Sequence, residues 1–459
     1  MHPVFHLSNY LPEAIKQKYK SSNHPLLQRI ENSRLSQKAD DRYEPLTADY
    51  DAASGAPSHI VCIVVDGLRH DAITKNIAPS LTSQSPMNAI TAAPWTFPSV
   101  TSILTGKYPH QHGAMRNADG LHRPSHPVPQ QMSKSHTTLP QALAAAGYET
   151  YGGFGFITPF WALRGKFQTH KLYRHAVRAD EILDDHLSWL SKHRTSSTFS
   201  YIHLNDAHEP IDPPQAYHER HEVDADIDVS DWDSYEPETE SEVRRFKTHR
   251  KRIYRAAVDY VTDCIKSYQR EVENEFADIL FVVTADHGKG FWECSTVDEE
   301  HFDDTRGYYC VGHGGTPYES ITRVPLVIES DQVTHQSTPV SLVDVCPTIL
   351  DIVGLEGALA CSGYSLSSSI PDTRVPIVEG VRYGYEKKAV YHDDWKLIVS
   401  RGDDATVGFS LPSETVQSIP DDVANRLHTA VPRWLGEGDQ SDDRTPESVA
   451  KRLEELGYK

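Results

Sequence analysis

The chain has 459 residues, 38% of them hydrophobic, with a mean hydropathy of -0.52. That is enough for two or three domains, or for one large α/β domain with an appendage, and polar enough for a water-soluble fold. The formal net charge of -20 repels nucleic-acid backbones and anionic membranes, so neither is an expected partner, and an anionic substrate would need a site with its own positive charge.

The six cysteines (Cys62, Cys264, Cys294, Cys310, Cys346 and Cys361) show no CxxC spacing, which argues against a disulfide framework or a structural zinc knuckle. Met1 to Lys20 has no apolar signal core, and no apolar run approaches the roughly 18 residues that span a bilayer. A cytoplasmic location without a membrane span is the expectation.

Residues 1–55 are polar, with one helix-like stretch from Leu11 to Leu35, and read as an N-terminal extension over the core. At Ile60 a continuous apolar run begins, Ile60-Val61-Cys62-Ile63-Val64-Val65, and ends in Asp66-Gly67. Such runs are buried on both faces, as in a parallel sheet. Thr138 to Gly147 reads as a short helix, and Arg178 to His193 as an amphipathic one carrying Ile182, Leu183, Leu187, Trp189 and Leu190. The second apolar run, Phe199 to Leu204, leads into Asn205-Asp206-Ala207-His208. Residues 212–246 are rich in Asp, Glu and Pro and read as an exposed insertion. Lys247 to Phe276 is a long helix with Ile253, Ala256, Ala257, Tyr260, Val261 and Ile265 as its apolar stripe. The third run, Ile279 to Val283, leads into Thr284-Ala285-Asp286-His287-Gly288, and Val324 to Ile328 is the fourth. Strands alternating with helices predict an α/β domain over 56–356, with a central, mostly parallel sheet and helices on both faces. Short alternating segments after about Gly357, such as Trp395 to Val399, predict a small C-terminal α+β subdomain over 357–459.

Three of the four apolar runs end in residues able to bind metal or move protons. In open α/β sheets ligands bind beyond the carboxyl ends of the strands, so Asp66, His208 and the Asp286-His287 pair converge on one edge. Between Pro98 and Gly106 the sequence fits a helix, Pro suiting its first turn and Gly its end. Thr96 then stands at a helix N-terminus, where free N–H groups favour an anion. It either caps that helix or offers a hydroxyl that attacks a phosphorus or sulfur centre. His313, between Gly312 and Gly314, is either an exposed turn residue or a second site residue.

Taken in order, these segments resemble the sulfatase branch of the alkaline phosphatase superfamily. The matching stretches are Val64 to Arg69, Thr96 to Ser99 with Leu104 to Gly113, Asp206 to Pro210, Thr284 to Gly288, Gly312 to Glu319 with Arg323 to Leu326, and Val343 to Leu350. The resemblance implies an alkaline phosphatase-like sandwich. It also implies a divalent metal held by Asp66, Asp286, His287 and the nucleophile Thr96, with His208 on the ester or leaving-group oxygen and His313 as a second substrate or metal contact. One imidazole among hard oxygens suits zinc or manganese better than calcium or magnesium. The pattern also departs from ordinary sulfatases: Thr96 stands where Cys or Ser is converted to formylglycine, Val100 where an Arg is usual, and Gly67 where a second Asp is usual. Gly152 to Ile157 holds no Lys-x-His pair. The implied activity is hydrolysis of phosphate diesters, phosphonates or sulfates through a covalent Thr96 intermediate, on a small-molecule or glycan ester. The alternatives are a phosphoethanolamine- or phosphoglycerol-type transferase acting on a glycan, a formylglycine-independent sulfatase, and a binding protein on a retired hydrolase fold.

Overall fold

A computed structural model describes residues 38–39, 42–115, 129–173, 177–224, 226–227, 239–334, 336 and 338–434. The expected helix from Leu11 to Leu35 and the charged C-terminal residues lie outside the described residues.

The centre is a nine-stranded sheet. Its strands in chain order include β1 (Lys38–Ala39), β2 (His59–Val65), β3 (Met87–Ile90), β4 (Glu149–Phe154), β5 (Thr169–Leu172), β6 (Thr198–Leu204) and β7 (Ile279–Ala285). After a small two-stranded ribbon, β8 (Gly290–Phe291) with β9 (Val311–Gly312), come β10 (Arg323–Ile328) and β11 (Val340–Ser341). The spatial order is β1-β5-β4-β6-β2-β7-β10-β3-β11. Strands β5, β4, β6, β2 and β7 pair in parallel. Every residue of β2 and β6 is buried, as the unbroken apolar runs require of strands covered on both faces. Strand β10 is as apolar as its neighbours but runs antiparallel to both β7 and β3. A buried run sets burial, not direction, so this reversal is absent from the hydrophobic pattern.

The helices form two groups around this sheet. One contains Thr96–Thr105, Leu139–Ala145, Ile157–Leu163 and Val345–Ile352; the other contains Ala179–Lys192 and Glu240–Glu275. The last is 36 residues, a rod of about 54 Å at 1.5 Å per residue. It begins seven residues before the expected Lys247 because Thr239 and Glu242 form a capping box, the Glu242 N–H donating to Thr239 Oγ1 at 3.3 Å and the Thr239 N–H to Glu242 Oε2 at 2.9 Å. The acidic segment expected as an insertion therefore ends in helix, and it begins with a short helix at Gln215–Arg220.

A second, five-stranded antiparallel sheet follows: β12 (Ile377–Val378), β13 (Lys387–His392), β14 (Trp395–Ser400), β15 (Ala405–Ser410) and β16 (Thr415–Val416), with a helix at Asp421–Ala430. It packs on the large domain through Tyr391, Ile398 and Phe409 against Ile90, Phe302 and Tyr318. Among the described residues no helix is long and apolar enough to cross a membrane.

Candidate active site

The parallel register sets the site. Val65 of β2 pairs with Leu204 of β6 on one side and with Ala285 of β7 on the other. Asp66 and Asp286 are thus the first residues beyond adjacent, level strand ends, and both are fully buried. Gly67 takes a positive φ of 72°, turning the chain away and aiming its N–H at Asp286 Oδ1, 3.3 Å away.

Thr96 is the first residue of the Thr96–Thr105 helix, all ten residues of which are buried. The N-cap position belongs to Trp95, and Thr96 does not cap: its Oγ1 donates to Asp66 Oδ2 at 3.1 Å and lies 3.3 Å from His287 Nε2. The helix start is pinned against β7, since Ser99 Oγ and Thr91 Oγ1 both donate to the Asp286 carbonyl, at 2.6 and 2.5 Å. Gly106 ends the helix in the left-handed conformation, φ 65°, as the sequence suggested.

Each buried carboxylate has one tethered oxygen and one without a hydrogen-bond partner. Asp286 Oδ1 accepts from the N–H groups of Gly67 and His287, leaving Oδ2; Asp66 Oδ2 accepts from Thr96 and His203, leaving Oδ1. Those two free oxygens each lie 3.4 Å from His287 Nε2. The partner of His287 Nδ1 is the Gly288 carbonyl at 2.8 Å, which can only accept, so Nδ1 carries a proton and Nε2 is the nitrogen turned toward the two free oxygens. These three side chains offer ligand atoms close enough together that they could hold a metal ion. Burial raises both carboxyls, but the surrounding His208, His203 and His287 hold Asp66 well below the usual carboxylate range. Burial and then the Asp66 charge push Asp286 up.

His208 and His313 lie beside this cluster. The His313 ring stacks on His287 with centroids 4.4 Å apart and meets His208 edge-on at 4.9 Å. Burial, with His287 and His208 adjacent, holds His313 well below the usual imidazole value, so it is neutral. His208 Nδ1 donates to the Glu209 carbonyl at 2.7 Å, which leaves Nε2 for other partners.

Sequence reasoning missed two parts of the site. His203, inside the apolar run of β6, is fully buried with Nε2 3.2 Å from Asp66 Oδ2. Its signal was an ionisable residue in an otherwise apolar strand. The second is a charge cluster in which Glu209 pairs with both Lys289, at 2.5 Å, and Arg250. Burial would raise the Glu209 carboxyl, yet the two cations hold it down to about 2. Lys289 also donates to the Ala207 carbonyl at 2.9 Å, bracing the loop that carries His208.

The family model described as "Sulfatase" matches residues 70–355, more than half of the chain. The chain belongs to the sulfatase family. It is 25% identical over 177 residues to the uncharacterised sulfatase YidJ of Escherichia coli (strain K12), an alignment spanning 35% of either protein, so the match covers only about a third of that relative. Among solved structures, the fold is shared with the phosphonate monoester hydrolase of Silicibacter pomeroyi, at 16% identity and a TM-score of 0.58 over 77% of this chain and 89% of that one. A 2-O GAG sulfatase, BT1596, superposes equally, at 16% identity and a TM-score of 0.58 over 82% of this chain and 90% of that one. Like these relatives, the chain has an α/β core, here with a separate antiparallel C-terminal sheet.

Proposed function

We propose that this sulfatase-family member is a metal-dependent ester hydrolase whose nucleophile is Thr96 and whose preferred substrate is a phosphodiester or phosphonate monoester. The observation that carries the proposal is the position of the Thr96 hydroxyl. It is not spent on capping its helix: it donates to Asp66 Oδ2 and lies 3.3 Å from His287 Nε2, the nitrogen that the unpartnered Asp66 Oδ1 and Asp286 Oδ2 each approach to 3.4 Å.

Asp66, Asp286, His287 and Thr96 Oγ1 would hold the cation, zinc or manganese suiting this donor set. Bound there, the cation would supply the positive charge that lowers the hydroxyl pKa and neutralises the anionic ester. The hydrogen bond to Asp66 Oδ2 fixes the Thr96 rotamer before substrate arrives. Thr96 gives up its hydroxyl proton to solvent and Oγ1 forms the bond to phosphorus as the bond to the leaving oxygen breaks; protonated His208 gives that oxygen its proton and regains one from solvent. Water then attacks the same phosphorus, and His313 takes one of the water's protons and hands it to the departing Thr96 oxygen. A neutral His313 suits that base role, since it has a lone pair to offer.

Phosphorus is favoured over sulfur because threonine, with a methyl on Cβ, cannot form the aldehyde that formylglycine requires. Val100, where an Arg would stand, is fully buried in the helix and supplies no charge. The test is a panel of chromogenic phosphate monoesters, diesters, phosphonates and sulfates, assayed with the wild type and Thr96→Ala. Diester or phosphonate rates should exceed sulfate rates, and Thr96→Ala should lose several orders of magnitude. A tenfold preference for sulfate, or an active Thr96→Ala, would refute the proposal.

A further inference from the structure

We infer that His203 is a positioning residue of the cation site: it ties down one oxygen of Asp66 so that the other is turned toward the cation. The inference rests on the proposed function only in taking Asp66, Asp286 and His287 as the cation's holders.

The geometry comes from β6. Tyr201 and His203 are two residues apart, hence on one face of the strand. His203 pairs in register with Val64, two residues before Asp66. The Asp66 N–H donates to the Leu204 carbonyl at 2.8 Å, so Asp66 prolongs the ladder beside His203. The ring therefore lies alongside the Asp66 carboxylate, its Nε2 3.2 Å from Oδ2 and 4.0 Å from Asp286 Oδ2. A carboxylate only accepts, so Nε2 carries a proton toward Asp66. Nδ1 faces the Tyr201 hydroxyl at 2.9 Å and, in the tautomer protonated at Nε2, accepts from it. Tyr201, His203 and Asp66 form a directed chain, each donating to the next.

A histidine kept only for packing would not need this chain. A buried polar ring costs free energy unless both nitrogens are satisfied, and here satisfaction comes at a carboxylate whose other oxygen is unpartnered. Hydrogen bonds that fix ligand orientation raise metal affinity by roughly 10- to 100-fold.

The test measures the affinity of the full chain for zinc by competition with a chromophoric chelator, and counts imidazole ligands by X-ray absorption. Wild type should hold one zinc with one imidazole, that of His287. His203→Leu should bind roughly 10- to 100-fold more weakly with the same imidazole count. His203→Gln, which keeps a donor near Nε2, should recover most of the affinity. Tyr201→Phe should weaken binding in wild type but have no further effect in His203→Leu. If His203→Leu fails to fold, the other two variants still decide. Wild-type affinity in His203→Gln and Tyr201→Phe together with His203→Leu, or a second imidazole on zinc that His203→Leu removes, would overturn the inference while leaving the proposed function standing. A wild-type chain that binds no zinc or manganese would overturn both.

Discussion

Replacing Glu209 by glutamine would leave two buried cations, Lys289 and Arg250, facing a neutral amide. Lys289 is fully buried, Arg250 is 1% exposed and Glu209 is 10% exposed, so water screens little of the loss. Glu209 is held at about 2 against an ordinary 4.5. At about 1.4 kcal/mol per pH unit, that displacement is about 3 kcal/mol of folding stability, in line with the roughly 3–5 kcal/mol lost when a buried ion pair is broken from one side. Because the folded value is depressed, the contribution is fully present above the unfolded value near 4.5 and fades as pH falls toward 2. Urea denaturation of wild type and Glu209→Gln, at a fixed metal concentration because binding itself stabilises, should differ by about 3 kcal/mol at pH 7. The difference should shrink by about 1 kcal/mol between pH 4.5 and 3.5. A difference below about 0.5 kcal/mol at pH 7, typical of a surface change, would refute this account of the cluster, as would a gap that stays constant with pH.

Asp286→Ala should abolish both turnover and bound metal in elemental analysis, because no neighbour replaces the lost carboxylate charge; retention of stoichiometric metal would contradict that. His313→Ala should keep its melting temperature and lose on the order of a hundredfold in rate, and the opposite pattern would make His313 a structural residue. Gly106→Ala should destabilise by about 2–4 kcal/mol in thermal melts, combining left-handed strain with overpacking, because an added Cβ would meet Cys361 Sγ at 2.6 Å.

The four apolar runs identified β2, β6, β7 and β10 because a strand covered on both faces leaves few polar positions. The site residues that close a strand, Asp66 and Asp286-His287, were legible for the same reason: a charge is conspicuous at the end of such a run. Strands β3, β4 and β5 were not legible as such. They mix Asn88, Gly152-Gly153 and Lys171 into their length, and pairing rather than local pattern makes them strands. The Glu209, Arg250 and Lys289 cluster was invisible because its members come from a loop, a helix and a turn that only the fold brings together. His203 was hidden differently: one polar residue inside an apolar run reads as a satisfied core group until its neighbour is seen to be Asp66.

The reversed direction of β10 shapes what the molecule can become. Leu326 pairs with Thr284, so the chain leaves the sheet after Ala285 and returns to it at Arg323 on the same side of the molecule. Residues 286–322 are one continuous excursion over the rim, carrying Asp286, His287 and Lys289 at its departure and His313 near its return. A crossover to a parallel strand would have delivered His313 to the opposite end of the sheet. Both ends of the excursion are anchored at one edge, and the stretch between β8 and β9 is tied not to the ladder but to the second sheet, through Phe302, and to the His313 carbonyl, through Arg306.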